Sequence, residues 1–154
     1  MKNRFILSLS ILLLISSCDP DRIYEKNYKI PEGIWYKENI VRFELMVEDT
    51  ISSHNLYVNV RHASLYPMSN LYLFITTRAP SGHAIRDTLD VILANDKGKW
   101  LGSGLGDLWD IQQLYKENVR FAQHGLYVFE YEQAMRTGKL PFILDVGLRV
   151  EKAE

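Results

Sequence analysis

The chain has 154 residues, of which 47% are hydrophobic and 12% aromatic, and its 18 Lys and Arg nearly balance its 19 Asp and Glu. This composition suffices for one domain with its own apolar core, whereas the near-zero net charge excludes the basic surface typical of nucleic-acid-binding proteins. A single cysteine excludes an internal disulfide, so the stability of the domain must come from its core.

The N-terminus has the pattern of a bacterial lipoprotein signal. A basic start with Lys2 and Arg4 precedes an apolar run over residues 5–15, and small residues then lead to Cys18. This order is typical of a secretory signal, and the run is shorter than the roughly 20 apolar residues of a spanning helix. An aliphatic residue, two small residues and a cysteine form a lipobox. We therefore predict a signal peptide over residues 1–17 and a lipidated Cys18 that anchors the protein to a membrane of the cell envelope, at the outer membrane or the periplasmic face.

The segment after the cysteine is polar. Residues 18–30 are predicted to be the lipidated N-terminus and its tether, because residues 19–29 lack a clear period and carry Pro20 near their start. The end of this tether is expected to form a first strand. A Pro-Glu-Gly turn at residues 31–33 then begins the domain, predicted over residues 31–154.

Alternation of apolar and polar residues predicts half-buried strands along most of the domain. The two-residue period is seen in five segments, residues 40–48, 56–61, 86–93, 126–132 and 144–151. Residues 71–77 are apolar on both faces, which indicates a central strand or one that is covered on both sides.

Turn residues separate these strands. Asn95-Asp96-Lys97-Gly98 is a strong hairpin signal, and the glycine-rich residues 102–107 predict a tight loop over one end of the domain. The spacing of Leu108, Ile111 and Leu114 predicts a short helical turn over residues 108–113, followed by a strand within residues 115–121. About eight strands and no long amphipathic helix indicate an all-β fold, an antiparallel β-sandwich of the jelly-roll type.

The residues that could carry chemistry do not form a known motif. The four histidines lack the spacing of metal ligands, and the glycine-rich stretch lacks the Gly-Lys-Ser/Thr of a phosphate-binding loop. Asp107 and Asp110 depart from the spacing of calcium loops, and Glu130 and Glu132 are expected to face solvent on one strand. We therefore predict neither a catalytic residue nor a metal, a cofactor or a small-molecule substrate.

Aromatic residues near predicted loops and strand ends are the remaining candidates for a binding surface. If exposed together, they would stack on a sugar or dock a protein partner, although most residues of this kind cover the core. The candidates are Trp35, Trp100 and Trp109, with Tyr36 and Tyr115 nearby.

A series of short segments, taken in order, resembles the gliding motility lipoprotein GldH family of the Bacteroidetes. The segments are Pro31-Glu32-Gly33 with Trp35, Ile40-Val41-Arg42-Phe43, Leu71-Tyr72-Leu73-Phe74-Ile75, Arg86-Asp87-Thr88-Leu89, Gly98-Lys99-Trp100, Gly104-Leu105-Gly106-Asp107, Asn118-Val119-Arg120-Phe121, Glu132-Gln133-Ala134-Met135-Arg136 and residues 145–152. The resemblance implies an envelope lipoprotein of the gliding machinery, linked to type IX secretion and in contact with other envelope proteins of that system. It carries over only Cys18 as a functional residue.

These observations leave three functions open. The first is a non-enzymatic envelope component that assembles with other proteins, which the lipobox and the resemblance favour. The second is a carbohydrate- or peptidoglycan-binding module, which the aromatic residues favour. The third is a hydrolase, which would require a cleft with paired acids.

Overall fold

The computed structural model describes residues 19–154, and Cys18 and the predicted signal peptide lie outside the described residues. Those residues form eleven strands and one short 3-10 turn, Pro31–Gly33. The strands are β1 (Arg22–Lys29), β2 (Ile34–Tyr36), β3 (Val41–Val47), β4 (His54–Ala63), β5 (Asn70–Arg78), β6 (Ala84–Ile92), β7 (Ser103–Leu105), β8 (Leu108–Val119), β9 (Gly125–Gln133), β10 (Lys139–Pro141) and β11 (Ile143–Lys152). The segment predicted as tether and first strand thus contributes β1 to the sheet.

The strands form two main antiparallel sheets, ordered β1-β11-β4-β8-β7 and β3-β9-β5-β6, with a small β10-β2 ladder. If the eight long strands are counted in chain order, the first pairs with the eighth, the second with the seventh, the third with the sixth and the fourth with the fifth. A long hairpin rolled up on itself gives these pairs, which is the jelly-roll arrangement. The predicted antiparallel sandwich is therefore confirmed.

The core lies between the sheets and follows the alternation in the sequence. In β3 every second residue is buried, from Val41 through Phe43 and Leu45 to Val47, while the residues between them are exposed. The largest fully buried side chains include Trp35, Phe43, Phe129 and Tyr131. The rings of Phe43 and Tyr131 meet edge to face, with their centroids 5.0 Å apart. Each such buried apolar side chain contributes roughly 1.5–3 kcal/mol to folding.

Strand β5 occupies the position that its apolar sequence predicts. It pairs with β6 on one side and β9 on the other, and so is central in the four-stranded sheet. Leu71, Leu73 and Ile75 are fully buried on its inner face, whereas Tyr72 on the outer face is 41% exposed. The prediction of a central strand is confirmed, and its outer face is open to solvent.

The predicted helical turn over residues 108–113 is wrong, because these residues begin β8, the longest strand. The leucines and isoleucine that suggested a helix are three positions apart. In the strand, Leu108 and Leu114 lie on the outer face, where they are 41% and 43% exposed. Ile111 lies on the inner face and packs against the core. Pairing with β4 along most of its length supplies the backbone hydrogen bonds that a helix would have provided internally.

Side chains of β8 also join the two sheets along one edge. The Gln113 side chain donates to the Asp90 carbonyl (2.8 Å) and accepts from the Ile92 N–H (2.9 Å), so it pairs with the free edge of β6. Tyr115 donates to the Asp87 carboxylate at 2.6 Å, and Lys116 pairs with the same group. These contacts cover an edge strand that would otherwise offer unpaired backbone groups to another chain.

Candidate functional site

The outer face of the five-stranded sheet carries a polar groove. Side chains that alternate with the core residues of β4, β8 and β11 point outward here and form a polar groove of about 620 Å³. The residues that line this groove are Glu25, Asn27, Asn59, Val60, Arg61, Gly102, Ser103, Asp110, Ile111, Gln112 and Asp145. No aromatic ring lines it among the described residues.

The charges in the polar groove are largely paired. Arg61 binds the Asp110 carboxylate through two nitrogens, at 2.7 and 3.2 Å, and lies 3.8 Å from Asp145. The hydrogen bonds to Asp110 raise the pKa of Arg61. The Asn59 amide donates to Glu25 at 3.0 Å, while its buried carbonyl oxygen has no partner among the described residues. The groove therefore offers amide and carboxylate oxygens, and its lining has three acids, Glu25, Asp110 and Asp145, against the single arginine Arg61.

Arg149 organises one end of this face. Asp19, Asp21, Ser53 and Lys152 lie at the same end, and we call this region, with Arg149, the anchor end. The Arg149 guanidinium binds Glu25 at 3.0 Å and also binds Glu151 and Asp19. Burial opposes the ionisation of Glu25, but hydrogen bonds from Arg22 and the charge of Arg149 together lower its pKa. Because Asp19 directly follows Cys18, Arg149 holds the chain one residue from the predicted lipid.

The opposite end, which we call the far end, exposes three leucines on two neighbouring turns. Leu65 is 71% exposed in the β4–β5 turn, and Leu105 and Leu108 are 87% and 41% exposed on the β7–β8 hairpin. Ser64 joins the two turns, because both its N–H (2.8 Å) and its hydroxyl (3.1 Å) donate to the Asp107 carbonyl. We call Leu65, Leu105 and Leu108 the leucine tip. The ten residues of β4 separate the two ends by about 30 Å.

Glycines shape the hairpin that carries the leucine tip. Gly106 has a φ of +62° in the two-residue turn, a conformation that favours glycine. Gly104 lies under the Trp109 ring, where an added Cβ would come within 2.8 Å of the ring atoms. Because Gly104 pairs with Trp109 and Leu105 with Leu108, the indole and the two leucines lie on opposite faces of the hairpin. The glycine-rich loop predicted from the sequence is therefore a short hairpin.

The three tryptophans that are candidates for a binding surface differ in burial and do not form one exposed cluster. Trp35 is fully buried and donates its indole N–H to the Asn39 carbonyl at 2.8 Å, so it offers no surface to a partner or glycan. Trp100 and Trp109 are half-buried. Trp100 packs on the His62 ring at 4.5 Å, and Trp109 donates to the Ser64 hydroxyl at 3.2 Å. Two of the three thus lie at the far end, where they support the turns of the leucine tip.

The leucine tip is the part of the site that sequence reasoning missed. Leu105 stands between two glycines, next to a turn that is too short to bury it. That position was a usable signal of exposure. Leu65 gave no such signal, because it lies beside Tyr66, which is buried and donates to the Asn70 carbonyl. Their proximity depends on the pairing of β4 with β8.

The outer face of the four-stranded sheet carries ion pairs. Glu130 and Glu132, which the alternation placed outward, bind Arg78 at 3.1 Å and Arg86 at 2.5 Å. These carboxylates therefore have cationic partners across the sheet. Within residues 19–154 no group of three or more His, Cys, Asp or Glu side chains is placed to hold a metal. No helix in the same range is long and apolar enough to cross a bilayer.

Comparison with known proteins identifies relatives over the whole chain. The family model described as GldH lipoprotein matches residues 22–150. The gliding motility lipoprotein GldH of Flavobacterium johnsoniae is 38% identical over 161 residues, and the GldH homolog of Christiangramia forsetii is 37% identical over 163, each match covering 100% of this chain and 99% of the relative. The Yersinia pseudotuberculosis-derived mitogen aligns with a TM-score of 0.34 and 8% identity over 85% of this chain and 87% of its own, a likeness too low to bear on function.

Proposed function

The chain belongs to the GldH lipoprotein family, and from this premise we propose that it is a non-enzymatic envelope component of the gliding machinery, linked to type IX secretion. The full-length relatives named for gliding motility support the first part of this proposal. The pairing of outward acids with arginines supports a role without catalysis, because Glu130 and Glu132 each have a cationic partner.

The proposal includes a lipid anchor at Cys18. The lipobox and the lipoprotein relatives support it, and we place the anchor in the outer membrane or at the periplasmic face. Two or more acyl chains hold a protein stably at a bilayer, because each buried CH₂ contributes roughly 0.8 kcal/mol. The domain then works at a membrane surface, where its partners are other envelope proteins.

The observation that carries the assembly role is the leucine tip beside the polar groove. Contiguous exposed apolar patches, especially those with polar rims, mark sites of protein interaction. The Ser64 contacts hold both turns in place, so the patch is formed before a partner arrives. We propose that this surface docks another envelope protein of the gliding or secretion apparatus.

Chromosomal exchange of the leucines tests this role. Leu65→Ser with Leu105→Ser is expected to abolish colony spreading, or type IX cargo secretion in a host that does not glide, while the lipoprotein stays at its normal level in membranes. The matched control is Ile85→Ser, which removes an isoleucine that is 51% exposed on the other sheet. Normal spreading and secretion in the double leucine variant would contradict the docking role of this surface. Normal behaviour after deletion of the whole gene would contradict the wider proposal.

A glycan-binding module is the second candidate, and the polar groove is the observation that favours it. Its amide and carboxylate side chains are suited to sugar hydroxyl groups. The described lining residues include no ring on which a sugar could stack, which weakens this candidate relative to protein docking. Binding of the purified domain to peptidoglycan fragments or to a glycan array, lost in Asn59→Ala, would favour it; absence of binding would remove it.

A further inference from the structure

The first described residues are tied closely to the fold at the anchor end. Asp19 binds Arg149, and the Asp21 carbonyl accepts a hydrogen bond from the Lys152 N–H at 2.9 Å. Strand β1 begins at Arg22. Because consecutive Cα atoms are about 3.8 Å apart, at most about 15 Å of chain separates Cys18 from β1, even when fully extended. The domain therefore has little freedom to move away from a lipid attached at Cys18.

A further hydrogen bond connects the end of β11 to a turn that exposes an isoleucine. The N–H of Ala153, next to Lys152, donates to the Ser53 carbonyl at 2.9 Å, which joins the C-terminal strand to the β3–β4 turn. Ile51 in this turn is 83% exposed. The Asp49 carboxylate accepts from the N–H groups of Ile51 (2.8 Å) and Ser52 (2.9 Å), so the exposed side chain stands on a fixed backbone.

We propose that the anchor end lies against the bilayer and that Ile51 inserts into the lipid interface beside the acyl chains of Cys18. This inference rests on the proposed lipidation of Cys18, and its occupant is the lipid bilayer. Asp19, the residue after Cys18, is held on the same end as Ile51, so acyl chains on Cys18 would lie beside this turn. Water is a poor environment for an isoleucine side chain that is 83% exposed on a rigid turn, and the apolar boundary of the bilayer is a good one.

The charges at the anchor end do not provide an electrostatic attraction to anionic lipids. Glu48 and Asp49 precede Ile51, and Asp19 and Asp21 precede β1, so these acids outnumber Arg22 and Lys152. A polybasic cluster would be required for an electrostatic anchor. The contact is therefore predicted to depend on the acyl chains and Ile51 and to resist added salt.

Single-cysteine labelling tests this orientation, because lipidation consumes the only native cysteine. The lipidated full-length protein with Ile51→Cys is labelled with an environment-sensitive fluorophore and reconstituted into phosphatidylethanolamine–phosphatidylglycerol vesicles that carry a lipid-borne quencher. The matched control is Leu105→Cys, an 87% exposed position on the far end. We expect a blue shift and loss of emission from the label at position 51, and neither change at position 105.

Each outcome separates the orientation from the anchor. Vesicle flotation first reports whether the lipidated protein is membrane-bound. If it floats and the label at position 51 responds only to an aqueous quencher, the orientation is overturned while the anchor stands. If the label at position 105 is the quenched one, the far end faces the bilayer and the inference is also overturned. If the protein does not float, the proposed anchor itself fails, and the inference fails with it.

Discussion

The two ends of the sandwich use exposed apolar side chains in different settings. At the anchor end, Arg149 pairs with Asp19 and Glu25, hydrogen bonds join the start and the end of the described chain to the β3–β4 turn, and Ile51 in that turn is 83% exposed. At the far end, the leucine tip stands on two turns joined through Ser64 and borders the polar groove. At both ends hydrogen bonds hold the turns that carry the exposed apolar residues, through Asp49 at the anchor end and through Ser64 at the far end. We have proposed different partners for the two surfaces, lipid at the end next to Cys18 and another envelope protein at the far end.

Among the substitutions that test this comparison, removal of the lipid site should have the largest effect, because it removes the membrane attachment of the anchor end. Cys18→Ser is expected to abolish membrane association, because the described domain has no spanning helix and no polybasic cluster to replace the acyl chains. Fractionation after a high-salt wash is the measurement. Unchanged circular dichroism is the control, since Cys18 precedes the described fold. A variant that still fractionates with membranes and keeps normal processing would contradict the lipid anchor.

The close packing of β1, the strand nearest Cys18, against β11 depends on Gly147. An added Cβ there would lie 1.9 Å from the Asn27 side-chain oxygen and 2.9 Å from the Lys26 carbonyl oxygen, which belongs to the backbone of β1. Gly147→Ala is therefore expected to lower the free energy of unfolding by about 1–3 kcal/mol, as overpacking does. Thermal or urea unfolding measures this loss.

Gly138→Ala is the matched control for this substitution. No atom lies within 4 Å of a Cβ added at Gly138, so this variant should unfold close to the wild type. Equal stability of the two variants would show that β1 moves away from β11 without cost, and the tight attachment of the anchor end would be wrong.

Sequence patterns predicted the regular part of the fold and missed contacts made across it. The alternation of Val41, Phe43, Leu45 and Val47 specifies one buried face of a strand, and β3 confirms it. The leucine spacing in residues 108–114 is compatible with a helix or a strand, and the pairing of β8 with β4 decides for a strand. The Arg149–Asp19 contact joins residues 130 positions apart, so only the completed sheet reveals it.

The ion pairs of the anchor end should matter more than an equivalent pair elsewhere. The Arg149 side chain is 13% exposed and contacts three carboxylates, so Arg149→Gln leaves these acids facing one another. We expect a loss of about 1 kcal/mol in the free energy of unfolding, which high salt reduces by screening the repulsion.

Arg42→Gln provides the comparison for Arg149→Gln. Arg42 pairs with Glu44 on β3, and both side chains are 54% exposed. Exposed pairs contribute little, so this substitution should change the stability by less than about 0.5 kcal/mol. If both arginine variants lose the same amount of stability, Arg149 has no special role in holding the start of the chain.

The smallest predicted effect concerns His62 at the far end. It is fully buried beneath Trp100, its Nδ1 lies 3.0 Å from the Ala63 carbonyl, and its Nε2 has no partner among the described residues. Burial lowers the pKa of His62, although the hydrogen bond to Ala63 and the charge of Asp110 oppose the shift. The unfolded chain therefore binds this proton more readily than the folded one. The stability that neutral His62 provides is complete above about pH 6.5 and decreases as the pH falls towards the lower folded pKa.

Unfolding free energies of the wild type and His62→Phe between pH 8 and pH 5.5 test this dependence. The wild type should lose stability over this range more steeply than the variant, and the difference between the two proteins should be constant above pH 7. Carboxyl groups titrate mainly below this window, so they do not mask the comparison. Parallel pH profiles would contradict a neutral, buried His62. A steeper wild-type profile would show that protonation of His62, beneath Trp100 at the far end, costs folding free energy at a pH where the carboxylates of the anchor end are still ionised.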